Sequence, residues 1–192
     1  MPPTVRFNRE AIVAAALEIA KEHGFYGITA RSVARRLGCS VAPIYDNFAT
    51  IEDLTNTVAQ RVFALTDELM AAQTGPHPFE NMGKASLAFA RDYPKLFREL
   101  ALEPNPYMAT YDQVEAVMLE IMAGDPELEG LTDDQRRRLL LKMRVFQLGL
   151  SAMVANGHLP SWMDEAAVEE LLLETGEDIA TAMGRDRKDE RV

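Results

Sequence analysis

Thr29-Ala30-Arg31-Ser32-Val33-Ala34-Arg35-Arg36-Leu37-Gly38 followed by Cys39-Ser40-Val41-Ala42-Pro43-Ile44-Tyr45-Asp46-Asn47-Phe48 reads as two short helices around a glycine turn. Thr29 is a good N-cap, because its side-chain oxygen can accept from an amide N–H in the first turn that has no helical partner. Ile28 and Val33 flank it as a hydrophobic staple pair. Gly38 stops the first helix after about two turns, and Val41 to Phe48 fit a second, very short one. Val33, Ala34, Leu37, Ile44 and Phe48 supply an inward face, and small Ala34 lets the two helices approach. The opposite face presents Arg31, Ser32, Arg35, Arg36, Tyr45 and Asn47. Cations for a phosphate backbone beside short polar groups for base edges are the chemistry of a nucleic-acid groove.

Working outward, a helix is expected after Asn8, with Phe7 stapled onto Ile12 and an apolar face of Ile12, Ala15, Ala16, Ile19 and Ala20 that ends at Gly24. Thr50 with Asp53 resembles a capping box opening a long fourth helix, about 51–73, with Leu54, Val58, Leu65 and Leu69 on one face. Gly75-Pro76-His77-Pro78 is the clearest break in the chain. Beyond it, periodicity and punctuation predict helices at 79–92, 94–103, 107–123, 132–156 and 162–183. Strand signals are nearly absent. The charged stretch 185–192 is expected to be a disordered tail.

The run from Gly27 through Phe48 resembles the signature of TetR/AcrR-family transcriptional regulators. The likeness extends without a gap from Ala16-Leu17 to Glu52-Asp53-Leu54. It implies an all-α chain of about nine helices. A three-helix DNA-binding domain (residues 1–52) would precede a helical effector-binding and dimerisation domain (53–184). By position in the family pattern, Thr29 is the helix-capping residue that can touch phosphate, and Arg31 can reach bases or backbone. Ser40, Val41, Ala42 and Pro43 open the recognition helix, while Tyr45 matches a recurrent phosphate-binding tyrosine. With Ala30, Ser32, Arg35, Asp46 and Asn47 these make up the expected DNA-binding set. Asn47 stands where histidine is common, its amide still a donor to phosphate. Ile51 replaces a frequent lysine. Asp46 brings a carboxylate that can accept from cytosine N4 or repel phosphate.

The charge distribution agrees with a reader at one end. Net charge is −10 over 192 residues, but residues 1–50 carry six basic side chains (Arg6, Arg9, Lys21, Arg31, Arg35, Arg36) against four acidic ones (Glu10, Glu18, Glu22, Asp46). The rest holds 14 basic and 26 acidic side chains. An acidic body repels DNA and leaves the N-terminal end as the docking face. With neither an apolar run of about 18 residues nor a charged-then-apolar leader, the expected location is the cytoplasm.

Nine of the ten Met residues lie at position 70 or later, and eight of the fourteen aromatic residues follow residue 75. Methionine adapts to irregular apolar cavities. Candidate walls for an apolar or aromatic effector are Met82, Phe89, Tyr93, Phe97, Met108 and Tyr111, with Met118, Met122, Phe146, Leu150, Met153 and Trp162; ordinary core is the competing reading. The last two helices are apolar over more than one face and so need two partners. The resemblance implies a homodimer bundle. Its expected interface is Leu139, Leu140, Met143 and Ala152 from one helix, with Val168, Leu171, Leu172, Thr175, Ile179 and Met183 from the other.

Other chemistry finds little support. His23, His77 and His158 are far apart and form no two-ligand metal spacing, so no metal and no cofactor is expected. Cys39, in the turn, reads as small apolar filler. No phosphate-binding glycine loop, nucleophile elbow or catalytic carboxylate pair stands out, and the chain is not expected to be an enzyme. The expected activity is repression from a palindromic operator, relieved by a small effector. The alternatives are a regulator without an effector, or a small-molecule-binding protein that has lost DNA binding.

Overall fold

The computed structural model describes residues 7–108 and 111–189, leaving aside the side chains of 111, 113 and 184–189. Among the described residues all regular structure is helical. The helices are α1 (Arg9–His23), α2 (Ala30–Leu37), α3 (Ala42–Asn47), α4 (Ile51–Ala71), α5 (Pro78–Asp92), α6 (Pro94–Phe97), α7 (Tyr111–Ala123), α8 (Asp133–Asn156) and α9 (Glu165–Asp189). The expected all-α layout, with a helix-turn-helix first and a helical body after it, is the one observed.

Packing divides the chain into two compact units. The first joins the residues up to 67 with 93–107; the second joins 68–92 with the residues from 108 onward. In the first unit the predicted face of α1 is inside: Ile12, Ala16 and Ala20 are fully buried, with Ile19 close behind. Val33 of α2, Ile44 of α3 and Leu54, Val58 and Val62 of α4 are likewise without solvent exposure. Burying each such aliphatic side chain contributes about 1.5–3 kcal/mol. That is how helices too short to persist alone are held.

Segment 93–107 completes this unit. Pro94 opens α6, whose Leu96 and Phe97 are buried; the chain then widens into a π turn over Arg98–Leu102. The Asn105 side-chain amide donates to the carbonyls of Glu99, Leu100 and Glu103, closing that turn. Glu99 reaches back, its carboxylate accepting from the Phe25 N–H at 2.5 Å. Gly24 makes room: a Cβ there would lie 2.0 Å from the Glu99 carboxylate, and its φ of +77° already favours glycine. The Tyr107 ring then lies tilted against that of Phe25, 4.9 Å between centroids.

The second unit is built on α5, α7, α8 and α9. Its core gathers Leu87, Met122, Leu128, Leu139, Leu140 and Met143, with Leu150, Val168, Leu172 and Met183. Gly83 of α5 lets Leu172 of α9 approach, since a Cβ would meet that side chain at 3.1 Å. The Thr132–Gln135 capping box predicted at the start of α8 is formed. Three expected boundaries move. The helix predicted from 107 begins at Tyr111, and the helix predicted from 162 begins at Glu165, where Asp164 accepts from the Ala167 N–H. α9 also continues to Asp189, past the start of the expected tail; Arg185, Arg187 and Lys188 favour helix, and no proline interrupts it. Residues 190–192 of that expected tail lie outside the described residues.

Candidate DNA-reading surface

Local capping fixes the geometry of the reading head. Thr29 Oγ1 accepts from the Ser32 N–H at 3.0 Å, while Ser32 Oγ accepts from the Thr29 N–H at 2.9 Å and donates to the Gly27 carbonyl at 2.8 Å. Gly38, at φ +68°, closes α2 in the left-handed conformation, and the Cys39 N–H returns to the Ala34 carbonyl. The chain can then turn within four residues. Pro43 stands in the first turn of α3, which starts at Ala42 with Val41 as its N-cap residue. A proline is tolerated there because that N–H would have no helical acceptor.

The arginines divide by what holds them. Arg9 donates to the Asn47 carbonyl and to Thr57, and its guanidinium lies 4.0 Å from the Phe48 ring centroid. Arg36 is paired with Glu22, which holds that carboxyl below its usual range; Arg61 is paired with Glu10. Arg31 and Arg35 are exposed and form no ion pair among the described residues. Tyr45, 53% exposed, stands on the same motif with Ser40, Val41, Ala42 and Asp46 open to solvent.

Two residues expected to face DNA have tasks inside the protein. The Asn47 amide donates to the Pro43 carbonyl at 2.8 Å and to the Phe7 carbonyl at 3.4 Å, so both its N–H groups are committed. The bond to Pro43 is a local side-chain-to-backbone one within α3, and the bond to Phe7 ties down the chain before α1. The Ser32 hydroxyl is likewise consumed by the turn before α2. Thr29 remains exposed, and Ala30 and Pro43 are half-buried beside the open side chains. No local sequence signal announces the contribution of Glu99 to this unit, because it arrives from a distant segment.

The candidate effector residues fall into three places. Phe89, Met122 and Leu150 are buried in the second unit, with Met82, Met118 and Phe146 half-buried there. Tyr93 and Phe97 belong to the first unit; Phe97 is buried and Tyr93 lies 5.6 Å from the Lys21 ammonium. Met108, Met153 and Trp162 are exposed, Trp162 at 77%. The side chain of Tyr111 lies outside the described residues.

The expected dimer residues also separate. Leu139, Leu140, Met143, Val168, Leu172 and Met183 are buried within one copy of the chain, and Ala152, Leu171, Thr175 and Ile179 are half-buried. The apolar side chains α8 leaves open are instead Leu141, Val145 and Leu148, exposed at 52%, 67% and 38%. Their spacing, continued by Ala152, is that of a single helix face.

Residues 12–58 match the sequence family described as bacterial regulatory proteins, tetR family. None of the curated protein sequences matches the chain. Among solved structures, a TetR-like transcriptional regulator from Rhodococcus sp. RHA1 is similar in fold, with a TM-score of 0.62 at 16% identity, over 94% of this chain and 96% of its own. A TetR regulator from Streptomyces coelicolor gives 0.63 at 17% identity, over 92% and 97%. A TetR variant from Acinetobacter baumannii, solved in complex with minocycline, gives 0.56 at 15% identity, over 94% and 98%. The N-terminal helix-turn-helix segment thus matches the tetR family of bacterial regulatory proteins in sequence, and the helical chain as a whole is similar in fold to solved TetR-type regulators.

Proposed function

We propose that the chain is a repressor that binds a palindromic operator as a homodimer and is released by a small apolar or aromatic effector. The observation that carries the DNA contact is the division of the arginines. Arg31 and Arg35 stand open beside Tyr45 and the start of α3, while Arg9 and Arg36 are held by the protein. Open guanidinium groups release counterions on meeting phosphate; paired ones first have to give up their partners. Thr29, Ala30, Ser40, Val41, Ala42 and Pro43 form the remaining contact surface, with Asp46 selecting at a base edge. Ser32 and Asn47 hold its shape.

A second copy packs on Leu141, Val145, Leu148 and Ala152 of α8, where apolar surface is open. Exposed Gly149, with nothing within 4 Å of the place its Cβ would occupy, permits close approach there. The effector seats against the half-buried Met118 and Phe146, which pack on the core of the second unit. It must bind the released state more tightly than the DNA-bound state, since equal affinity shifts nothing. The minocycline bound to the Acinetobacter TetR variant is consistent with such a body.

Binding to the DNA upstream of the chain's own gene, measured by gel shift across a salt series, tests the reading. Arg31→Ala should weaken binding and reduce the salt slope by about one. Tyr45→Phe should weaken binding to every sequence by a similar factor, as loss of a phosphate contact does. A wild-type protein that gives no sequence-specific shift would overturn the proposal.

A further inference from the structure

His77 lies in the segment between α4 and α5, Glu80 in the first turn of α5, and Glu127 in the single 3-10 turn Pro126–Leu128 between α7 and α8. All three belong to the second unit. A ring nitrogen of His77 and carboxylate oxygens of Glu80 and Glu127 lie within 4.8 Å of one another. His77 Nε2 is 3.2 Å from Glu127 Oε1. Its Nδ1 faces Asp125 Oδ1 at 3.6 Å, is buried, and makes no hydrogen bond. Asp125 is itself fixed: its side chain is 2% exposed, Oδ2 accepts from the Phe79 N–H at 3.0 Å and Oδ1 from the Glu127 N–H at 3.1 Å.

We infer that His77, Glu80 and Glu127 form a site for a divalent transition-metal ion, with Asp125 orienting the histidine from behind. A carboxylate behind Nδ1 favours the tautomer that carries its proton there and leaves the Nε2 lone pair for a metal. Ligands at about 2.0–2.2 Å from one ion stand roughly 3–3.5 Å apart, a separation His77 and Glu127 already have. Glu80 is half-buried and Glu127 exposed, and each carboxylate sits on rotatable bonds, so a small rotation of each closes the set. One imidazole and two carboxylates without thiolate suit Zn²⁺ or Mn²⁺ rather than a soft cuprous ion. The nearby ammonium does not fill this role, because Lys84 is paired with Glu169 at 2.9 Å.

The bound ion would staple the start of α5 to the connection between α7 and α8. Sequence spacing does not announce the set, since Glu127 is far along the chain from His77 and only the fold brings them together. The competing reading is a His77 held only by its polar contacts with Glu127 and Asp125, which predicts no metal affinity.

The two readings separate on the full chain, stripped with chelator, dialysed, and titrated calorimetrically with ZnCl₂ and with MnCl₂. One saturable ion per chain is expected for at least one metal, together with a rise in thermal midpoint. His77→Ala and Glu127→Gln should each weaken that binding at least tenfold, and Asp125→Asn by about 10- to 100-fold. His23→Ala and His158→Ala should leave it unchanged. Glu127 is exposed, so its variant reports on the ion even where His77→Ala disturbs the fold. Absence of stoichiometric binding, or binding retained in both His77→Ala and Glu127→Gln, overturns the site. Neither result bears on the reading of DNA.

Discussion

The reading head and the helical body spend their apolar residues differently. In the head, helices of eight and six residues lie between α1 and α4, and Val33, Ile44, Leu54 and Val58 have no exposure. What remains outside on α2, α3 and the turn between them is mostly polar (Arg31, Arg35, Tyr45, Asp46), with Val41 and Ala42 the small apolar exceptions. In the body, α8 runs for 24 residues and is apolar on more than one face. It buries Leu139, Leu140, Met143 and Leu150 and still shows Leu141, Val145 and Leu148 to solvent. The head is finished as one chain, whereas the body retains a face whose burial needs something more. A helix packed on one side and still apolar on the other is the surface that the proposed association would bury.

The contrast breaks most sharply at Ile44. Ile44→Ala removes a fully buried side chain between α2, α3 and α1, and should cost about 2–5 kcal/mol of stability in urea or thermal unfolding. Leu141→Ala, at an exposed position, should cost a single copy less than about 0.5 kcal/mol under the same conditions. Equal losses at the two sites would erase the distinction between finished head and open body.

The second effect is on association. Val145→Asp places a charge on the most exposed member of the α8 face. It should leave the helical circular dichroism of the chain unchanged while weakening self-association at least about tenfold in sedimentation equilibrium, a loss of about 1.4 kcal/mol or more. Leu139→Asp, within the core, should instead unfold the second unit. If Val145→Asp associates as the wild type does, α8 does not carry the contact.

These two regions also differ in how much of them the sequence discloses. The head was legible to within a residue or two, because Asn8, Thr29, Gly24, Gly38 and the Thr50–Asp53 box each have one local task. Each does it: Asn8 accepts from the Ala11 N–H, and Thr50 and Asp53 exchange side-chain-to-backbone bonds. The helices of the body were legible as helices, with Thr132–Gln135 again in place, but their inward faces were not. On α8, Leu139, Leu140 and Leu141 are adjacent and alike in chemistry; packing buries the first two and leaves the third open. Composition has no means of ranking them. The same limit hid the arginine partition, since Arg31 and Arg36 differ only in whether Glu22 of α1 comes within reach. Nor does composition disclose that Ser32 and Asn47, expected on the DNA face, hydrogen-bond to nearby backbone groups, as short polar side chains near helix ends often do.

The smallest effect probes the one place where a distant segment enters the head. Burial raises the Glu99 carboxyl above its ordinary range, against the opposing hydrogen bond from the Phe25 N–H. A carboxyl raised in the folded state favours folding in its neutral form. That contribution is fully present below the unfolded carboxyl pKa, about 4.3 for glutamate, and is lost as pH rises through the folded value. Glu99→Gln remains neutral throughout and keeps a carbonyl oxygen for the Phe25 N–H. Thermal midpoints measured between about pH 4 and pH 7 should therefore diverge, with the glutamine chain gaining on the wild type as pH rises. Parallel profiles would mean that the carboxylate is solvated well enough to carry its charge in place. The contact with Phe25 would then hold segment 93–107 by geometry alone, as the close approach at Gly24 already does.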